Sequence, residues 1–354
     1  MSATTRPPVG APAESLEGRS LDDPRSLVDL VLRARTFGIV VILALLVLAT
    51  YLKQPSFLSG TNIRFILADT VIFALVAIGE TLVVLTRNVD LSVGSVVGLS
   101  AYVSADMFQT HPGIAIPIVF AIGIAVGLAC GIVTGLITAI GRVPSLVVTL
   151  AMLYIIRGVD TMIVGSGQVV ANSLPDSFVS IFHTTLLGVP VLAWVTAVLV
   201  AIAAYYLRCY RSGRDLYAIG SDPDAARMAG IPIARRVFLT FVVSGAIAGL
   251  GGVFWITQYN TVDATAATGL ELQVIAAVVV GGVAIFGGSG SVVGAALGAL
   301  LLQTINVALN VLGVPSLWTE AIAGFLLLVA ITLDRGIQLR LGAALRKRRT
   351  FDGA

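Results

Sequence analysis

Ten apolar stretches, at about 36–52, 64–86, 89–108, 113–140, 144–165, 186–207, 236–258, 271–287, 291–312 and 316–334, leave this chain few folds to choose from. Most are near the roughly 20 residues that an α-helix needs to cross about 30 Å of hydrocarbon. A chain that is 57% hydrophobic and only 12% charged has too few charges to cover the surface of a soluble globule. The expectation is an all-α integral membrane protein of about ten transmembrane helices. Gly and polar residues interrupt the pattern within 64–108 and 271–312, where broken or re-entrant segments are expected.

Lys and Arg placement sets the orientation. With a cytoplasmic amino terminus, only Lys53 and Arg64 of the 22 basic residues fall outside and Arg157 falls within a span; the other 19 lie inside. Both termini are therefore expected in the cytoplasm. Residues 1–35 are rich in Pro, Ser and charge and read as a tail, 36–336 as the transmembrane domain, and 337–354 as a basic tail. The first apolar run starts too late, and lacks a small-residue cleavage site after it, for a cleavable signal. A net charge of +3 reflects the same asymmetry and gives no reason to expect nucleic acid as a partner.

The cytoplasmic loop at about 208–235 contains a polar stretch, Arg214 to Pro232, that reads as a short, well-terminated helix. Asp222 suits the N-cap, Pro223 the first helical position, and Asp224 the positive end of the helix dipole. Ala225, Ala226, Arg227, Met228 and Ala229 propagate the turn, Gly230 ends it, and Pro232 prevents its resumption. Such a helix either presents itself to a partner or is one of the capped turns that loops commonly contain.

Within the membrane, Gly123, Gly127, Gly131 and Gly135 recur every four residues and line one face of the fourth span, so another helix can approach to backbone contact. Gly245 with Gly249, and Gly294 with Gly298, repeat the spacing. The pentapeptide Gly94-Ser95-Val96-Val97-Gly98 recurs at Gly290 to Gly294, each time at the start of a span that follows a break. Transporters are often built from repeats, with the working site near broken helices.

Charge in hydrocarbon costs at least a few kcal/mol, so Glu80 in the second span and Arg157 and Asp160 in the fifth face the bundle interior. They either line a path or brace one another. Asp90 sits at a break, where it caps the following helix or pairs with Arg87. Polar groups suited to sugar hydroxyls are Gln258, Tyr259 and Asn260 at the outer end of the seventh span, and Gln303, Asn306 and Asn310 on one face of the ninth. Helix-to-helix hydrogen bonding is the competing reading for each. The loop at about 166–185, with Gln168, Asn172, Asp176 and His183 around Phe178, Ile181 and Phe182, is expected to form an interfacial helix that closes the outer face.

Several chemistries are excluded by counting. Neither of the two lysines, Lys53 and Lys347, follows a glycine-rich loop, so the chain has no phosphate-binding P-loop. His111 and His183 are isolated, and Cys130 and Cys209 are far apart, so neither metal nor disulfide is implied. No cofactor is expected, and the chain does not read as an enzyme.

Three ordered motifs carry a resemblance. The first is Ala218-Ile219-Gly220-Ser221-Asp222 with Ala225-Ala226-Arg227, Gly230-Ile231, Ser244-Gly245 and Ala248-Gly249-Leu250. The second runs from Gly79-Glu80-Thr81 through Val89-Asp90-Leu91-Ser92-Val93-Gly94-Ser95. The third comprises Leu270-Glu271-Leu272, Ile275 to Gly282, Gly287-Gly288-Ser289-Gly290-Ser291, Gly294, Trp318 and Leu333-Asp334-Arg335. Over about residues 36–336 the chain resembles the ribose/xylose/arabinose/rhamnose-type permeases of binding-protein-dependent ABC importers. The resemblance implies a bacterial inner-membrane protein bathed in lipid, with a second permease copy, identical or not, an ABC ATPase subunit and an extracytoplasmic sugar-binding protein as partners. It makes the helix near Asp222 the ATPase-coupling element, with Arg214, Asp222, Asp224, Ala225, Ala226, Arg227 and Gly230 at the contact. The stretch 269–334 is most similar to rhamnose-type or autoinducer-type members. Branched-chain amino-acid permeases are distantly similar around the same loop and remain an alternative, as does an ion-coupled secondary transporter using Glu80 and Asp160.

Overall fold

The computed structural model describes residues 24–165, 167–170, 173–315, 318–329 and 332, with side chains from Phe37 onward except that of His183. The expected C-terminal tail and the Leu333-Asp334-Arg335 motif lie outside them, as do residues 1–23 and Asn172. Thirteen α-helices in the described residues make up almost all of the regular structure. They are α1 (Pro24–Lys53), α2 (Gly60–Leu85), α3 (Val93–Thr110), α4 (Ile116–Gly135), α5 (Ser145–Val164), α6 (Asp176–His183), α7 (Val191–Cys209), α8 (Arg211–Ser221), α9 (Pro223–Met228), α10 (Ile233–Tyr259), α11 (Leu270–Val280), α12 (Val292–Val311) and α13 (Trp318–Val329). Four two-residue strands pair antiparallel: β1 (Val169–Val170) with β4 (Thr261–Val262), and β2 (Thr185–Leu186) with β3 (Val189–Pro190). The first helix thus begins at Pro24, inside the stretch that reads as a tail.

Six helices, α2, α4, α5, α7, α10 and α12, are long and apolar enough to cross a bilayer; the apolar part of α1, Phe37–Lys53, and α11 and α13 are shorter. The expected span at 271–287 is corrected most clearly. Its helix stops at Val280 because Gly282 (φ 89), Gly287 (φ 78), Gly288 (φ 76) and Gly290 (φ 138) turn the chain in backbone conformations that a side chain resists. Eleven residues extend only about 16 Å, half of the hydrocarbon thickness, so α11 is a half-helix.

The core forms where α10 lies against α2, α3 and α4. On α4 the buried positions are Val119, Gly123, Gly127, Gly131, Thr134 and Gly135, with Phe120, Val126 and Cys130 partly buried against the core beside them. A Cβ on Gly127 would fall against backbone atoms of Gly245 and Gly249, and one on Gly245 against Gly127 and Gly131. The two helices therefore touch backbone to backbone, as small-residue faces in hydrocarbon permit. The Ser100 hydroxyl, from α3, donates to the carbonyls of Gly123 (3.0 Å) and Gly249 (2.8 Å) and ties the third helix into the crossing. The α11–α12 pair uses the same device, with Gly294 and Gly298 against the backbone of Gly281 and Ala277.

The chain between β4 and α11 does not stay at the bundle end. A Cβ on Gly98 would meet the Ala266 carbonyl and the Arg157 guanidinium, and one on Gly94 would meet Ala267 and Glu271. Gly94 and Gly98 lie in the first turns of α3, and Arg157 lies about 18 Å along α5 from its start. Residues 263–269 therefore descend beside α3 into the depth of the bundle. Irregular backbone is tolerated there only when protein covers it and satisfies its polar groups.

At the same end as β4, α6 is pinned inward rather than spread over the bundle surface. Phe178 is fully buried, with its ring centroid 4.8 Å from that of Phe108 and 6.3 Å from that of Phe120. Pairing of β1 with β4 brings the 169–170 segment over the start of the descending chain.

Candidate functional site

Two regions gather the polar groups. The first is the bundle interior. Arg157 donates to the carbonyls of Ala266 (2.7 Å) and Ala264 (3.3 Å) and lies 3.6 Å from Asp160, one turn further along α5. Its guanidinium supplies the donors that the descending segment lacks, and Asp160, fully buried, balances its charge. Neither carboxylate oxygen of Asp160 has a hydrogen-bond partner, nor has Oε2 of Glu271. Arg157 and Asp160 thus brace the descending chain.

Glu80 does not meet Arg157. It is fully buried, and its Oε1 accepts from the backbone N–H of Asp90 at 3.1 Å, closing the break between α2 and α3. The Asp90 carboxylate accepts from the N–H and hydroxyl of Ser92, at 3.0 and 2.6 Å, which shapes the turn before α3; the expected cap is not formed, because Ser92 is the N-cap residue and, among the described residues, no side chain bonds the first N–H groups of the helix. Glu80→Gln keeps an acceptor for the Asp90 N–H, whereas Glu80→Leu leaves that donor buried and unpaired. Thermal melts in detergent should show Glu80→Gln within about 1 kcal/mol of the parent and Glu80→Leu destabilised by roughly 2–3 kcal/mol. Equal losses would mean that Glu80 does something other than accept this bond.

Gln258 donates to the carboxylate of Asp69, linking α10 to α2, and Asn260 (φ 55) terminates α10 in a left-handed conformation. Gln303, almost fully buried, accepts from Asn306 at 2.8 Å along one face of α12, while Asn310 is exposed at its end. The Gln258 and Asn260 oxygens and the Gln303 amide nitrogen have no partner. These groups retain free hydrogen-bonding capacity, but among the described residues Gln258 and Gln303 bond to different partners, Asp69 and Asn306. Asp69 went unnoticed in the sequence, although it interrupts an apolar run just as Glu80 does.

The second region is the end of the bundle that carries α8 and α9. The polar stretch at 214–232 is two helices, because Asp222 is extended (φ −152, ψ 102) and bends the chain between them. The Asp222 carboxylate accepts from the N–H groups of Asp224 (3.0 Å) and Ala225 (3.1 Å), Pro223 fills the first position, and Gly230 (φ 76) follows the last turn. Only Ala226 of α9 is buried; Met228 is 84% exposed. Arg227 and Asp224 pair at 3.3 Å in the open, a contact worth little. Arg214 is exposed, and its guanidinium turns back to the Cys209 carbonyl (2.8 Å) at the end of α7.

Other contacts hold α8 to the bundle. Asp215 and Arg236 form an ion pair at 2.7 Å between α8 and α10. The Tyr217 hydroxyl donates to the Gly290 carbonyl at 3.0 Å, and burial pushes its pKa up to about 12, so it stays a donor at any physiological pH. Arg87 (φ 64) donates to the carbonyls of Gly220 and Ser221, each at 2.6 Å. Beside α9 a polar cavity of about 730 Å³ is lined by Thr86, Asn88, Thr138, Arg142, Ser145 and Arg227, among others.

A lipid-crossing helical bundle with a half-helix and buried ionisable groups at its breaks is the architecture of a membrane transport protein. The chain belongs to the family described as branched-chain amino acid transport system / permease component, which matches it over residues 62–331. It is similar to the autoinducer 2 import system permease protein LsrC of Enterobacter sp. (strain 638), 36% identical over 79% of this chain and 81% of that one. It is also similar to the ribose import permease proteins RbsC of Haemophilus influenzae, 32% identical over 90% of this chain and 94% of that one, and of Escherichia coli K12, 36% identical over 83% and 92%. No solved structure matches it. The chain is accordingly a multi-pass permease of the bacterial inner membrane.

Proposed function

We propose that this permease is the membrane subunit of an ATP-driven, binding-protein-dependent importer of a monosaccharide of the pentose or deoxyhexose class. The observation that carries the reading is its likeness, along nearly its whole length, to permeases named for ribose and autoinducer 2 import. In this reading the chain makes ten passes, the eighth by the descending segment 263–269 and the half-helix α11 together, with both termini in the cytoplasm, and works as a pair of permeases. The α8–α9 end then faces the cytoplasm and docks an ATPase subunit, and the end that carries α6 faces the sugar-binding protein.

ATP-driven closure of the ATPase pair moves α9 as a rigid element and exposes a central path alternately to each side. Competition distinguishes the substrate class. In cells that express the permease with its partner proteins and lack other ribose uptake, excess leucine should leave labelled ribose uptake unchanged, and unlabelled pentoses or deoxyhexoses should compete. Competition by leucine and none by sugars would overturn the sugar assignment.

A further inference from the structure

The contacts at the end of α8 converge on both interrupted regions of the bundle. Arg87 stands in the turn at 86–92 that separates α2 from α3, and its Nε and Nη2 reach the carbonyls of Gly220 and Ser221, the last two residues of α8. Carbonyls at a helix C-terminus have no partner within the helix, and a cation is favoured there by the dipole. The second turn, 281–291, separates α11 from α12. Its Gly288 N–H donates to the Leu85 carbonyl at the end of α2 (3.1 Å), and its Gly290 carbonyl accepts from Tyr217 of α8. Gly220 and Gly288 press backbone to backbone: a Cβ on either would collide with the other's segment. Three segments distant in sequence thus share one contact, with a planar two-bond fork on one side and no space for slip on the other.

We infer that Arg87 is the positioning residue through which displacement of α8–α9 reaches the starts of α3 and α12 together. The clamp makes α8, the 86–92 turn and the 281–291 turn one rigid body. A push on the exposed α9 is delivered to α3 and α12, the two helices whose first turns carry the Gly-Ser-Val-Val-Gly repeat. A lysine at position 87 has one ammonium and a flexible stem, and cannot hold both carbonyls in the fixed plane of a guanidinium. The inference rests on the proposal that an ATPase acts on α9, and its test separates the two.

In the assembled transporter, with Cys130 and Cys209 replaced, spin labels at Met228 and Val293 span the clamp, and labels at Met228 and Tyr154 report α9 against α5. ATP trapping with vanadate should shift the Met228–Tyr154 distance and leave the Met228–Val293 distance fixed in the parent. In Arg87→Ala both distances should shift, and ribose taken up per ATP hydrolysed should fall about tenfold, within the range of a lost coupling between two sites. Arg87→Lys should fall between, and Tyr217→Phe, which keeps the ring, should lose less. Equal abundance and melting of Arg87→Lys and the parent would show that its loss is not misfolding. A Met228–Val293 distance that shifts in the parent, or one that stays fixed in Arg87→Ala, overturns the clamp. A Met228–Tyr154 distance that never responds to ATP overturns the assignment of α9 to an ATPase, and the clamp's role with it.

Discussion

Leucine in place of Gly127 is expected to prevent the bundle from assembling. The site is closed by backbone on the facing helix, Gly245 and Gly249, so no neighbouring side chain can rotate away. Overpacking costs about 1–3 kcal/mol where side chains can give. Here α4 and α10 would have to separate, and the Ser100 bond to the Gly249 carbonyl, which joins α3 to α10 at the same crossing, would be strained with them. Gly158→Leu on α5, where nothing lies within 4 Å of the added Cβ, is the matched control. Fluorescence-detected gel filtration should give aggregated Gly127→Leu and a monodisperse Gly158→Leu peak. Two equal peaks would mean that the α4–α10 crossing is not a close backbone contact.

The second large effect is on transport and not on folding. Asp222→Ala combined with Gly230→Ala removes both ends of α9. The cap is worth about 1 kcal/mol, and a left-handed non-glycine residue costs about 1–2 kcal/mol. A six-residue helix with one buried side chain has little else to hold it. Since α9 makes few contacts with the bundle, the variant should insert and melt as the parent does. ATP hydrolysis by the assembled transporter should continue within about twofold, and sugar uptake should drop more than tenfold, the behaviour of a broken coupling free energy. Uptake at the parental rate would remove α9 from the transmission path.

What the sequence discloses is local in origin. Asp222, Pro223 and Gly230 act within a few residues of themselves, and the four-residue glycine spacing of α4 needs only the helix period to be visible. Asp90 reads from the sequence as a cap or as a partner of Arg87; its bond to Ser92, two residues away, instead shapes the turn that precedes the helix. The contacts that organise the two polar regions are not local. Arg87 finds its carbonyls 133 and 134 residues away, and Arg157 finds Ala266 109 residues away. Periodicity carries no trace of either. It presents Arg87 as one more basic residue on the cytoplasmic side, and it gives 271–287 the apolar length of a span when glycine turns cut it to a half-helix. Hydrophobicity has the same limit at Phe178: an apolar residue in an end loop fits a membrane surface as well as the aromatic cluster in which it is buried.

The central claim is that the chain supplies a conduit and receives its drive through α8 and α9 from a separate ATPase. It is tested most directly by sugar uptake into proteoliposomes, with the permease alone and with the ATPase subunit and binding protein added. The account predicts no accumulation by the permease alone under an imposed proton or sodium gradient, and ATP-dependent accumulation once the partners are present. Gradient-driven accumulation by the permease alone, unchanged by the ATPase and ATP, would contradict it.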